Sequence, residues 1–129
     1  MKKIIFVCLT AIGLGASAYD GTDVKGKWQH VMQEKDTKVT LGLDIGEVIT
    51  VFNKTCEAAG QTVNVVVQVA TKVTDGIFEI QGQASQSTKA GDFECAINVV
   101  PEVLKFQVDQ DHLSLTSQGN TTTVYDRVK

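Results

Sequence analysis

Apolar and polar residues alternate one for one through most of this chain. Val39, Leu41, Leu43 and Ile45 alternate with Lys38, Thr40, Gly42 and Asp44. Val63, Val65, Val67 and Val69 are interleaved with Thr62, Asn64, Val66 and Gln68. The same period recurs at Phe78 and Ile80, at Phe93, Cys95, Ile97 and Val99, at Leu104, Phe106 and Val108, and at Leu113 and Leu115. Strand side chains point to opposite faces in turn, so each run offers one apolar and one polar face. The abundance of valine and threonine agrees with strand structure. Strands are predicted near 26–32, 38–45, 48–56, 61–70, 76–84, 93–100, 103–108, 112–117 and 121–128.

Turn signals separate the runs: Ala59-Gly60, Asp75-Gly76, Ala90-Gly91-Asp92, Asp109-Gln110-Asp111 and Gly119-Asn120. The lone proline, Pro101, marks a break, since it cannot donate to a ladder. Residues 47–59 are ambiguous in period, but β-branched residues crowd them and favour strand to about Cys56. No stretch carries helical periodicity. Sequential strands with short turns predict an all-β fold, a small antiparallel up-and-down barrel of about eight strands. Closing the meander removes exposed edges. An open two-layer sandwich is the alternative.

The first eighteen residues follow a different rule. Lys2 and Lys3 precede an apolar run from Ile4 to Gly15, and Ala16-Ser17-Ala18 supplies a small-x-small cleavage pattern. Residues 1–18 are thus expected to be a signal peptide and 19–129 a single β-barrel domain. The run is shorter than the ~20 residues that span a bilayer. Cys8 lies inside it rather than at its end, which argues against a lipoprotein. The short double-lysine start points to a bacterial signal and to a periplasmic or secreted protein. No later segment is apolar enough to span, so no transmembrane segment is expected in the mature chain.

Without Lys2 and Lys3, twelve basic residues become ten against fifteen acidic ones, a net charge of −5. The basic residues are scattered singly, which argues against nucleic acid as a partner. Removing Cys8 leaves Cys56 and Cys95, an even pair that reads as a disulfide in an oxidising compartment. Its loop of about 40 residues corresponds to ~4 kcal/mol in the chain-entropy model.

Few residues suggest catalysis. His112 and Ser114 share a strand face and Asp111 precedes them, but no Gly-x-Ser-x-Gly elbow is present. Asp109 and Asp111 flank a turn and are read as turn formers. Gly42, Gly46, Gly60 and Gly82 do not form a phosphate-binding fingerprint, and His30 and His112 lack metal-ligand spacing. Asn53-Lys54-Thr55 and Asn120-Thr121-Thr122 match the glycosylation acceptor pattern, relevant only in a eukaryotic secretory pathway. The chain is read as a non-enzyme without a cofactor.

Gly26-Lys27-Trp28 opens the first strand, and Arg127 lies in the last; each is the chain's only tryptophan or arginine. Gly-x-Trp at the start of an exported all-β chain, with a late arginine, resembles the lipocalin and wider calycin pattern. That resemblance implies an eight-stranded barrel whose closed end is plugged by Trp28 with Arg127 over the indole face. Such a stack is a cation–π contact, and Gly26 would allow close backbone approach. The chain is shorter than full lipocalins and lacks their mid-chain Thr-Asp-Tyr motif and C-terminal helical segment. It is closer to small bacterial lipocalin-like proteins, including periplasmic inhibitors of secreted metalloproteases. Two functions follow as expectations. The first is binding of a small apolar ligand in the barrel mouth. The second is inhibition of, or interaction with, a secreted protein through the segment Tyr19 to Val24.

Overall fold

A computed structural model describes residues 24–128. Ten strands cover most of them. They are β1 (Gly26–Glu34), β2 (Thr37–Ile45), β3 (Ile49–Ala58), β4 (Gln61–Thr74), β5 (Ile77–Ile80), β6 (Ala84–Ala90), β7 (Phe93–Val99), β8 (Glu102–Asp109), β9 (His112–Thr116) and β10 (Thr122–Arg127). Eight of these close into an antiparallel barrel in the order β1-β10-β9-β8-β5-β4-β3-β2. The all-β class and the closed barrel expected from the alternation are thus present, and the open sandwich is excluded. The signal peptide expected at 1–18 lies outside the described residues, as do residues 19–23 and Lys129.

Turn chemistry fixes the register. Ala59 and Gly60 both take positive φ, 51° and 76°, between β3 and β4. That is the backbone a two-residue hairpin needs to match strand twist. β3 and β4 then pair from Ile49↔Ala70 to Ala58↔Gln61. One face of β4 is buried at Val63, Val65, Val67, Val69 and Thr71, and the intervening residues are exposed. A one-residue slip would turn all five outward.

Two features depart from a simple meander. The expected strand at 76–84 ends at Ile80, because the Gln81 and Gly82 amides both donate to the Ala70 carbonyl and draw the chain off the ladder. A Cβ at Gly82 would meet Val69 Cγ1 at 3.0 Å, so any larger residue would have to push that side chain aside. The chain then makes a separate hairpin, β6–β7, which forms its own two-stranded sheet. The barrel resumes at β8, which pairs with β5 through Ile80↔Glu102 and Phe78↔Leu104. The up-and-down order is therefore interrupted by an inserted hairpin.

That hairpin divides the apolar interior in two. The larger cluster fills the barrel and includes Trp28, Leu43, Ile45, Phe52, Val67, Phe78, Phe106, Leu113 and Leu115. The smaller holds Val39, Cys56, Val63, Val65 and Cys95, with Met32, Phe93 and Ile97 packed beside it. Val39, Cys56 and Val63 are successive cross-strand partners at the end of β2–β4 remote from Trp28. β7 thus lies over the inward-facing side chains at that end, as a roof on the barrel.

Candidate ligand cavity and barrel floor

The closed end is built around Trp28, which is 1% exposed. Its position on β1 faces Leu43 of β2 and Arg127 of β10 in register. The guanidinium carbon of Arg127 stands 4.1 Å from the indole centroid. Arg127 Nη1 donates to the Lys25 carbonyl at 3.2 Å, and its Nε is 3.9 Å from Asp111 Oδ1. The indole Nε1–H donates to the Val24 carbonyl at 2.8 Å. Val24 itself is fully buried, so the segment entering β1 is docked at its last residue. Gly26 has φ 113°, and a Cβ there would stand 3.2 Å from Arg127 Nη1. Backbone freedom and space together make glycine necessary for this stack.

Above the floor a cavity of about 330 Å³ opens between barrel and roof. Leu41, Leu43, Phe52, Phe78, Leu104 and Leu115 supply barrel walls, and Ile97 and Val99 of β7 supply the roof. Tyr125 also faces it. The phenol sits opposite Leu113 in the β9–β10 register, and its ring centroid is 5.7 Å from that of His30. His30 Nδ1–H is committed to the Val124 carbonyl at 2.9 Å. Tyr125 is only 9% exposed, and its hydroxyl has no hydrogen bond to a described residue. Burial pushes its pKa above the ordinary phenol value, so it stays a neutral donor. Around the mouth stand Asn98, Glu102, Ser117, Thr121 and Thr123.

A second hollow, of about 660 Å³, lies outside, between the β1–β2 turn and the start of β7. Glu34, Lys35, Asp36, Lys54 and Glu94 line much of it. It is larger but shallow and charged, unlike the concave apolar sites that small ligands fill.

Cys56 and Cys95 are bonded, with their Cα atoms 5.9 Å apart. The bond ties the roof to β3. Lys54 adds a second tie, Nζ to the Ala96 carbonyl at 2.9 Å.

The His112–Ser114 pair does not assemble into a nucleophile and base. His112 Nδ1 bonds Asp126 Oδ1 at 2.8 Å on an exposed face, and no hydrogen bond joins it to Ser114. No cluster of three metal-ligating side chains occurs among the described residues. The inhibitor expectation rested on the segment Tyr19 to Val24, of which only Val24 is among the described residues. Sequence reading missed Tyr125 and Glu102 as cavity residues. Their parity was readable, since Tyr125 shares a strand face with Thr123 and Arg127, and Glu102 stands two before Leu104. It also missed the buried hydroxyl pair Thr50–Thr71, 2.7 Å apart near the floor.

No family model, curated protein or solved structure matches this chain. The closed eight-stranded antiparallel barrel is consistent with a lipocalin-like fold.

Proposed function

We propose that this chain is an exported, small bacterial lipocalin-like protein that binds a small apolar ligand in its barrel mouth. The roofed cavity of about 330 Å³ carries the reading. It falls at the small end of the ~300–1,000 Å³ typical of ligand pockets, with apolar walls and a few polar groups. The Tyr125 hydroxyl, which has no hydrogen-bond partner among the described residues, is one such group. At the ~30 Å³ that one water occupies in the liquid, the space takes a ligand of about eleven heavy atoms. A micromolar Kd, about −8.2 kcal/mol, then asks roughly 0.7 kcal/mol of each atom, within the ~0.3–1.5 range of good small ligands. The signal-like N-terminus supports export. Nothing in the arrangement requires catalysis.

The test is titration with 2-naphthol, a neutral bicyclic probe whose emission responds to its surroundings. Saturable binding to one site is expected. Leu104→Trp fills the cavity from the barrel wall and should abolish it while the melting curve stays cooperative. Absence of saturable binding by the wild-type chain refutes the proposal. Inhibition of a secreted metalloprotease by a chain that binds no probe would turn the reading to the protein-inhibitor alternative.

A further inference from the structure

The cavity lining contains one charged side chain, Glu102, and no lysine or arginine. Glu102 is the first residue of β8 and stands on the inward-facing side, two residues before Leu104 and opposite Ile80. It is exposed at the mouth, and no described residue forms a hydrogen bond or ion pair with it. Two cations face inward among the described barrel-wall residues: the Lys54 ammonium is held by the Ala96 carbonyl under the roof, and the Arg127 guanidinium lies over Trp28 at the floor. Deeper in, the Tyr125 hydroxyl is a neutral group. A ligand whose apolar body fills the cavity therefore presents its head to a carboxylate and, among the described lining residues, to no positive charge.

Resting on the ligand-binding reading above, we propose that the site selects cationic amphiphiles, primary alkylamines in type, and discriminates against carboxylates such as fatty acids. The ammonium head pairs with Glu102 at the solvated rim while the alkyl chain lies against Leu104, Phe78 and Leu115. The chain's excess of acidic over basic residues acts in the same direction at longer range.

The test is displacement of bound 2-naphthol from the full chain by n-decylamine, n-decanol and n-decanoate, all at submicellar concentration. Each has about eleven heavy atoms, the size set by the ~30 Å³ of one liquid water. An ion pair at a solvated rim lowers Kd by about 1.5- to 5-fold, so decylamine should outbind decanol by that factor. Decanoate should be weaker than decanol by a similar factor. Glu102→Gln, an exposed and nearly isosteric change, should remove the preference and bring amine and alcohol to equal affinity. Added salt should shrink the wild-type preference, since exposed charges are screened. Decanoate binding as tightly as the amine overturns the inference. So does an amine preference that survives Glu102→Gln. Failure of 2-naphthol itself to bind marks instead the failure of the ligand-binding reading.

Discussion

Replacing Trp28 by alanine removes the largest side chain of the closed end. Large-to-small change at a buried aromatic costs about 3–5 kcal/mol, because the walls relax only partly around the space left. Here the walls are strand residues locked by ladder bonds on both sides, Leu43 on β2 and Arg127 on β10, so little collapse is available. Two further losses follow from the geometry. The Val24 carbonyl loses its indole donor, and an orphaned buried acceptor costs about 1–3 kcal/mol. The half-buried Arg127 loses its aromatic face, a contact of about 1 kcal/mol. The three overlap and do not add fully, so the expected loss is about 4–6 kcal/mol. That is a large share of the ~5–15 kcal/mol typical of a domain. Urea unfolding followed by far-ultraviolet circular dichroism measures it; tryptophan emission is lost with the chain's single tryptophan. Arg127→Met, which keeps the apolar stem, should lose only about 1–2 kcal/mol. A Trp28→Ala loss below about 2 kcal/mol, or one smaller than that of Arg127→Met, would refute the floor as described.

Two more outcomes test the interior. Replacing both Cys56 and Cys95 by serine should lower stability by about 4 kcal/mol, from the entropy of opening a 39-residue loop, and an unchanged urea midpoint would show that the roof is not held by the bond. Thr50→Val should cost about 1–3 kcal/mol by orphaning the Thr71 hydroxyl, whereas Thr50→Val with Thr71→Val should be close to neutral; single and double variants of equal stability would show that the hydroxyls do not depend on each other.

Strands whose inner face is buried and outer face wet were legible because packing enforces the period of two. β4 is the clearest, with inward valines from Val63 to Val69 and Thr71 continuing the face. β6 left no such trace. Ala84–Ala90 runs beside β4, and only its terminal alanines are partly buried. Polar residues fill both faces, so no alternation sets it apart from a loop. The break after Ile80 was equally silent, because it depends on two amides sharing the Ala70 carbonyl, a tertiary event. At the closed end, Gly26, Trp28 and Arg127 were readable as a constellation because each residue type is so constrained there. The cavity was not. Inward parity says that Tyr125 and Glu102 face the interior, but whether side chains fill that interior depends on where β7 lies, and β7's sequence reads only as one more strand.

The hairpin that roofs the barrel leaves and rejoins it at neighbouring points. Ile80 and Glu102 are cross-strand partners, so the whole excursion from Gln81 to Pro101 starts and ends within one ladder spacing, about 5 Å. The segment is a parenthesis in the chain: topologically, the eight barrel strands form an unbroken meander without it. Such a segment can vary in length and composition while the barrel's pairing scheme stays the same. One such barrel could thus carry roofs of different shape, with the disulfide as the clasp and the mouth as the part that diversifies.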